Sequence, residues 1–307
     1  MQYIKELSDY TDSQKSAVTF GKFDGLHKGH QKLVEKVREL GKNKGINSIV
    51  CSFDMRPLWK SKGIKPQMLM ASEERYRHLE RQVDYLVECP FTEEFSRKSA
   101  EDFIKDVIHD VFHATYVVVG TDFRFGHDKC GDVQMLETYA REYGYDLFVI
   151  EKERYEGRII SSTYIKDVLK EGNAGLASIL LGYPYAVEGI VEHGYQLGRT
   201  LGFPTMNVLW PSEKIVPPYG VYFCNVRVDG KKYPGISNVG IKPTVSDKKR
   251  LSIESYLFGY AGEAYGKKVT VELLEFRRPE QKFDGLDELK AGIHRDIACG
   301  RQYFGIV

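Results

Sequence analysis

Between residues 16 and 150, short β-branched and aromatic runs alternate with segments whose apolar residues recur at helical spacing. That alternation confines the first half of the chain to an α/β domain with a parallel sheet. The runs are 16–20, 48–53, 85–87, 116–119 and 146–150, short and apolar as strands buried on both faces tend to be. Between the first two, Leu33, Val37 and Leu40 recur at i, i+4 and i+7 until Gly41 supplies a stop. Ser99 followed by Asp102 opens a second amphipathic stretch carrying Phe103, Val107 and Val111.

Near Gly172 the character changes. From Tyr183 onward the chain is β-rich, and Asp229-Gly230 between runs 223–228 and 231–236 reads as a hairpin with a tight turn. Residues 269–276 form another strand. Leu286, Leu289, Ile293 and Ile297 share one helical face, so an amphipathic helix closes the chain and can cap a small barrel. At ~150 residues per domain, 307 residues give two domains, which we place at 1–175 and 183–307. No internal repeat or low-complexity tract interrupts them.

Charge excludes some partners. Lys and Arg number 44 against 43 Asp and Glu, so no bulk field favours nucleic acid or an acidic membrane. No stretch approaches the ~18 apolar residues of a membrane span, and the mean hydropathy is −0.38. The first ten residues lack the apolar core of a signal peptide, which predicts a cytoplasmic protein. Five cysteines (Cys51, Cys89, Cys130, Cys224, Cys299) stand singly. That disfavours a disulfide framework or a structural zinc site and predicts reduced packing residues.

Chemistry concentrates in a few motifs. Residues 21–30 read G-K-F-D-G-L-H-K-G-H and join the first strand to the first helix. In an α/β sheet that junction is a ligand crevice, and the free N–H groups of the helix start attract phosphate. His27 and His30 can both donate to phosphate oxygens there; a zinc pair or two surface histidines are the other readings, and zinc would need a third ligand. Ser162 and Thr163 can cap a helix beginning near Tyr164, presenting N–H groups and hydroxyls to a triphosphate or serving as a plain cap. Phe123 and Phe125 either stack on a flat ring or belong to the core. The run Gly194-x-x-x-Gly198-Arg199-Thr200 is one residue short of a P-loop and lacks its lysine, so a P-loop is rejected. Glu254 is either a base facing a cleft or a solvated strand residue.

H-x-G-H after the first strand is shared by the nucleotidyltransferase superfamily. Its longer form here resembles the adenylyltransferase half of bacterial bifunctional riboflavin kinase/FAD synthetases. Residues 120–126 with Gly131-Asp132 resemble that family's flavin loop, and 160–166 resemble its I-S-S-T-x-I-R signature, with Lys166 in place of arginine. Where the family has F-x-P-H-P, this chain has Phe53-Asp54-Met55-Arg56-Pro57, and no role is assigned to Arg56. Residues 198–207, G-R-T-L-G-F-P-T-M-N, resemble the riboflavin kinase element G-R-x-L-G-F-P-T-A-N. Stretches 220–222, 238–244, 253–256, 265–267 and 278–283 follow in family order.

The resemblance implies a Rossmann-like nucleotidyltransferase domain with a parallel sheet, then a small antiparallel β-barrel with a C-terminal helix. It implies phosphorylation of riboflavin to FMN by ATP at the second domain and adenylylation of FMN to FAD, with release of pyrophosphate, at the first. His27, His30, Glu254 and Arg199 would be catalytic, with Glu254 the base. Gly21, Phe23, Asp24, Gly25, Gly29, Ser162, Thr163, Lys166, Gly198, Gly202 and Pro204 would line the ATP sites. Asp122, Phe123, Phe125 and Arg278 would bind flavin, and Thr205 and Asn207 would hold Mg²⁺, a hard cation suited to oxygen ligands. No nucleic acid or membrane partner is expected, and a homo-oligomer is left open. Two other functions stay open at this stage: a nucleotidyltransferase for a different phosphate ester, and a flavin-binding carrier without turnover.

Overall fold

Because its strands are apolar on both faces, the first half must cover both sides of a sheet, and the computed structural model, which describes residues 1–193, 202–242 and 250–306, shows how. The strands β1 (Gln2–Ile4), β2 (Ser16–Gly21), β3 (Asn47–Asp54), β4 (Tyr85–Pro90), β5 (Ala114–Gly120) and β6 (Asp146–Ile150) form one sheet in the order β1-β4-β3-β2-β5-β6. Every pairing in it is parallel. From β2 the chain first builds outward through β3 and then returns to β2's other side with β5. The strand order therefore reverses at β2, and the crevice beyond its carboxyl end is the topological switch point.

Two helix expectations need correction. Helix Lys28–Lys44 does not stop at Gly41 but continues to Gly45, which takes the left-handed conformation (φ 65°) as its C-cap. Gly41 is instead a close-approach position, since a Cβ there would lie 2.8 Å from that of Ser48. The stretch opened by Ser99, whose hydroxyl accepts the Asp102 amide, passes into a π-helix over Phe103–Val111. Its wider turn buries Phe103, Ile104, Val107 and Ile108 and leaves Val111 at the margin. Cys51, Cys89 and Cys224 are buried packing residues, whereas Cys130 is exposed and Cys299 half-buried.

After a short antiparallel pair, β7 (Arg154–Tyr155) and β8 (Arg158–Ile159), the strands β9 (Ala186–Glu192), β10 (Met206–Leu209), β11 (Gly220–Val228), β12 (Lys231–Lys242), β13 (Arg250–Leu257) and β14 (Lys268–Pro279) of the second half close into a barrel, β10-β13-β12-β11-β14-β9. All its pairings are antiparallel. The Asp229-Gly230 turn has positive φ at both residues, 50° and 77°, as a two-residue hairpin with right-twisted strands demands. Helix Leu286–Tyr303 follows, and of the large residues marking its face Leu289, Ile293 and Ile297 are half-buried. Leu286 is exposed, and the buried column is Gly292, Asp296 and Gly300. Small side chains let the helix lie close, and Ile297 and Cys299 then flank a cluster of Val221, Phe223, Ile236 and Phe258.

The chain divides into compact units 1–162 and 163–307. The division falls ahead of the change in sequence character because helix Ala174–Leu181 packs on β14. Gly220, where β11 begins, sets a sharp limit on substitution. Its φ is 147°, and a Cβ would lie 2.1 Å from the Arg278 carbonyl oxygen of the paired strand. Gly220→Ala is expected to destabilise the barrel by more than ~2 kcal/mol. Calorimetry checks this, and a Tm within about 1 °C of the parent protein would contradict it.

Candidate functional site

The first site grows from the turn between β2 and helix Lys28–Lys44. That turn holds Phe23 and Leu26 at φ 45° and 38°, with Gly25 at 87°, so two side-chain-bearing residues sit in a disfavoured region. Its carbonyls are tied from outside. Arg75 Nε donates to the Phe23 oxygen (3.3 Å), Ser162 Oγ to that of Asp24 (2.7 Å), and Gln31 Nε2 to that of Leu26 (2.8 Å). The Asp24 carboxylate is turned inward and accepts the Leu69 amide at 2.7 Å. Asp24 thus staples the loop, and Gly21 and Gly29 bracket it at the strand end and in the first helical turn.

His27 is the N-cap. Its Nδ1 accepts the His30 amide at 3.4 Å, which leaves its proton on Nε2. The two imidazoles stack at 3.7 Å and 20°. Burial pushes the His27 pKa down to about 4. His30 is held well below its ordinary value, first by burial and then by the charges of His27 and Arg75. Its Nδ1 is buried and has no hydrogen-bond partner among the described residues. Both rings are therefore neutral near pH 7, and each offers an N–H donor beside the helix start. An orphaned buried nitrogen next to the free amides of a helix N-terminus is chemistry waiting for an anion.

Helix Ser162–Lys170 begins two residues before the expected point. Ser162 directs its hydroxyl to the Asp24 carbonyl. Further along that helix Thr163 is exposed and Lys166 half-buried.

Beside the turn opens a cavity of about 650 Å³ whose wall includes Phe53, Phe91, Phe95, Phe103 and Phe125, with Lys22, Lys98 and Arg124 at its edge. Phe125 is the one member of the expected flavin set on this wall. Phe123 stacks behind it at 5.5 Å, and Asp122 is exposed and paired with Lys152 at 2.6 Å. The other four phenylalanines were missed. A usable signal existed, because Phe53 and Phe91 stand at or just past the carboxyl ends of strands close to β2.

In the barrel, register does the positioning. Asn207 pairs with Glu254, and Glu254 with Asn238, so the three occupy one face of three adjacent strands. Their neighbours Met206, Val208, Ile253, Ser255, Ser237 and Val239 are buried. Asn238 was not singled out by the sequence; its Nδ2 donates to Glu280 Oε1 at 3.3 Å. Thr205, Asn207 and Pro204 line a second cavity of about 600 Å³ with Tyr260 and Tyr265. The hydroxyl and amide oxygens of Thr205 and Asn207, brought to one rim with Glu254 a strand away, suit a hard divalent cation. Gly202 is exposed at φ 89°. Gly198 and Arg199 lie outside the described residues. Arg278 does not extend into either cavity wall; it clasps the buried Asp296 through Nε (3.0 Å) and Nη2 (2.6 Å) and so ties β14 to the last helix.

The comparisons fit this division. A family model described as FAD synthetase matches residues 9–164, and one described as riboflavin kinase matches 181–304. The bifunctional riboflavin kinase/FMN adenylyltransferase of Escherichia coli (strain K12) is 38% identical over 312 residues, covering 100% of this chain and 99% of the relative. That of Buchnera aphidicola subsp. Acyrthosiphon pisum (strain APS) is 35% identical, covering 99% and 96%. A crystal structure titled as a macrolide-efflux protein from Streptococcus pneumoniae superposes with a TM-score of 0.83 at 29% identity, covering 96% of both chains. Among the described residues no helix is long and apolar enough to cross a membrane.

The buried imidazoles predict a specific pH response. Between pH 6.5 and about 4 an unfolded chain takes up a proton at His27 that the folded unit does not. Stability contributed by neutral His27 is therefore complete above 6.5 and falls as pH drops through this window. NMR titration of the imidazole signals is expected to give a His27 midpoint near about 4. A midpoint at the ordinary 6.5 would contradict the buried, neutral pair.

Proposed function

The chain belongs to the bifunctional riboflavin kinase/FMN adenylyltransferase family and carries both activities, and we propose that the histidine turn and the barrel row are their respective sites. The observation that carries the first assignment is the neutral, stacked His27/His30 pair capping a helix at the switch point, next to an aromatic cavity. In the first unit the flavin ring enters between the phenylalanines, which offer faces and edges to a flat heterocycle. Lys22, Lys98 and Arg124 draw its phosphate toward the turn. An oxygen of that phosphate attacks the α-phosphorus of ATP, the bond to the β-phosphate's bridging oxygen breaks, and pyrophosphate leaves. Charge growing on pyrophosphate is met by N–H groups of His27, His30, the loop and the helix start. As neutral donors the imidazoles need not release a charge when product departs.

In the second unit Glu254 accepts the proton of riboflavin's terminal ribityl hydroxyl as that oxygen attacks the γ-phosphorus, and ADP leaves. Thr205 and Asn207 would hold Mg²⁺, which supplies charge neutralisation on the phosphates when bound. Free, largely buried thiols and an ATP substrate fit a cytoplasmic enzyme. A homo-oligomer is compatible with both sites.

Incubation with riboflavin, ATP and Mg²⁺, followed by chromatography over time, is expected to show FMN first and FAD after it. His30→Ala should lose FAD formation by about 10²-fold or more while keeping FMN formation. Glu254→Gln should lower FMN formation by about 10²–10⁴-fold while still converting supplied FMN to FAD. Loss of both activities from either folded variant would refute the assignment of separate sites.

A further inference from the structure

Behind the histidine turn lies a buried ion pair that the chemistry above does not use. Arg75, on helix Ser72–Leu79, is 2% exposed, and Glu88, on β4, is 4% exposed. Arg75 Nη1 meets Glu88 Oε1 at 2.7 Å, and the other carboxylate oxygen accepts the Tyr3 hydroxyl at 2.8 Å. Burial, reinforced by Glu88, pushes the Tyr3 pKa upward, so this phenol stays a donor. Arg56 Nη2 stands 3.6 Å from Glu88 on the same side as Tyr3. A buried pair of this kind seldom adds stability over apolar side chains of equal volume. Its presence here calls for another consequence.

That consequence is at the turn. The remaining guanidinium contact is Arg75 Nε to the Phe23 carbonyl oxygen, at 3.3 Å. A peptide unit is planar and trans, so fixing the Phe23 oxygen toward Arg75 aims the Asp24 N–H the opposite way. Phe23 holds φ 45°, a conformation that tends to persist only when its surroundings over-determine it. Ser162 and Gln31 fix the next carbonyls in the same manner from the other side, but each is neutral. Arg75 alone among these three brings a charge-assisted donor. Its own orientation is in turn fixed by Glu88.

We propose that Arg75, oriented by Glu88, is a positioning residue for adenylyl transfer: it fixes the Phe23 peptide so that the following amide faces the nucleotide's phosphates. The assignment rests on the adenylyltransferase function proposed above. Arg75 acts through the backbone of the turn, beside its charge's effect on His30, so its removal should weaken ATP binding and leave the flavin cavity alone.

The test uses the full chain, whose kinase activity reports independently on the sample. Arg75→Met leaves Glu88 buried and unpaired and can unfold the unit, so the informative variant is Arg75→Met/Glu88→Leu, which removes the pair as a whole. Arg75→Lys is the companion, keeping the charge while losing the Nε donor. Starting from FMN, the double variant is expected to raise KM for ATP in FAD formation roughly tenfold, the worth of one charged hydrogen bond. KM for FMN, the riboflavin phosphorylation rate and Tm should stay near parental values, and Arg75→Lys should fall between. An unchanged KM for ATP, or equal rises in KM for ATP and FMN, in either folded variant overturns the proposal. Absence of FAD formation in the parent protein would instead refute the underlying function.

Discussion

By accepting the His30 amide, Nδ1 of His27 commits its ring proton to Nε2. That one bond fixes the start of the helix, the tautomer of the ring and the direction of its donor together. The stacked His30 ring and the burial of both then decide protonation: at His27 desolvation outweighs the pull of the Asp24 carboxylate, and at His30 the charges of His27 and Arg75 act in the same direction as burial. The turn must accept positive φ at Phe23 and Leu26 to bring His27 to the cap. Outside donors on the carbonyls of Phe23, Asp24 and Leu26 hold that conformation. The proposed phosphate site is thus made chiefly of backbone direction, with side chains acting to aim it.

The barrel meets a related demand with different materials. Its β-ladder uses the backbone N–H groups of the strands for pairing, leaving few for a ligand. Polar chemistry there has to come from side chains, and strand register supplies the alignment: Asn207, Glu254 and Asn238 stand side by side because three strands pair in step. On the opposite face Ser237 and Ser255 bond at 2.7 Å, locking the same register from inside. A one-residue slip would turn Glu254 inward and Ser255 outward. The buried hydroxyl pair therefore protects the position of the half-buried carboxylate.

Architecture was legible in the sequence wherever it depended on periodicity or on local turn chemistry. The five strand runs of the first half, the Asp229-Gly230 hairpin and the strand-turn-helix placement of His27 and His30 are properties of neighbouring residues. Features made by distant residues were not. The phenylalanines of the first cavity come from separate strand ends and loops, and only the parallel order of the sheet brings Phe53, Phe91 and Phe125 to one wall. Helix Leu286–Tyr303 buries a glycine column because close approach rewards small residues, while pattern reading weights large ones. Arg278, which the resemblance implies for flavin, is held by Asp296 on another element. Arg75 and Glu88 carry no local signal, and a charged residue in sequence gives no hint that it is buried.

Arg56 shows how such long-range partners change the meaning of a sequence departure. Read along the chain, Arg56 stands in a stretch that departs from the family's F-x-P-H-P and has no assigned role. In the fold its Nε bonds Asp54 at 2.7 Å, its Nη2 bonds Ser72 at 3.1 Å, and Glu88 lies on the same side. The guanidinium is held away from the cavity by three oxygen-bearing side chains. Met55 and Leu58 are left to line that part of the wall. With Arg56 turned away, this part of the wall stays apolar, which suits the flat ring proposed to enter it. The added charge belongs to the acidic side of Glu88, where it shares with Arg75 and Tyr3 the work of satisfying one buried carboxylate.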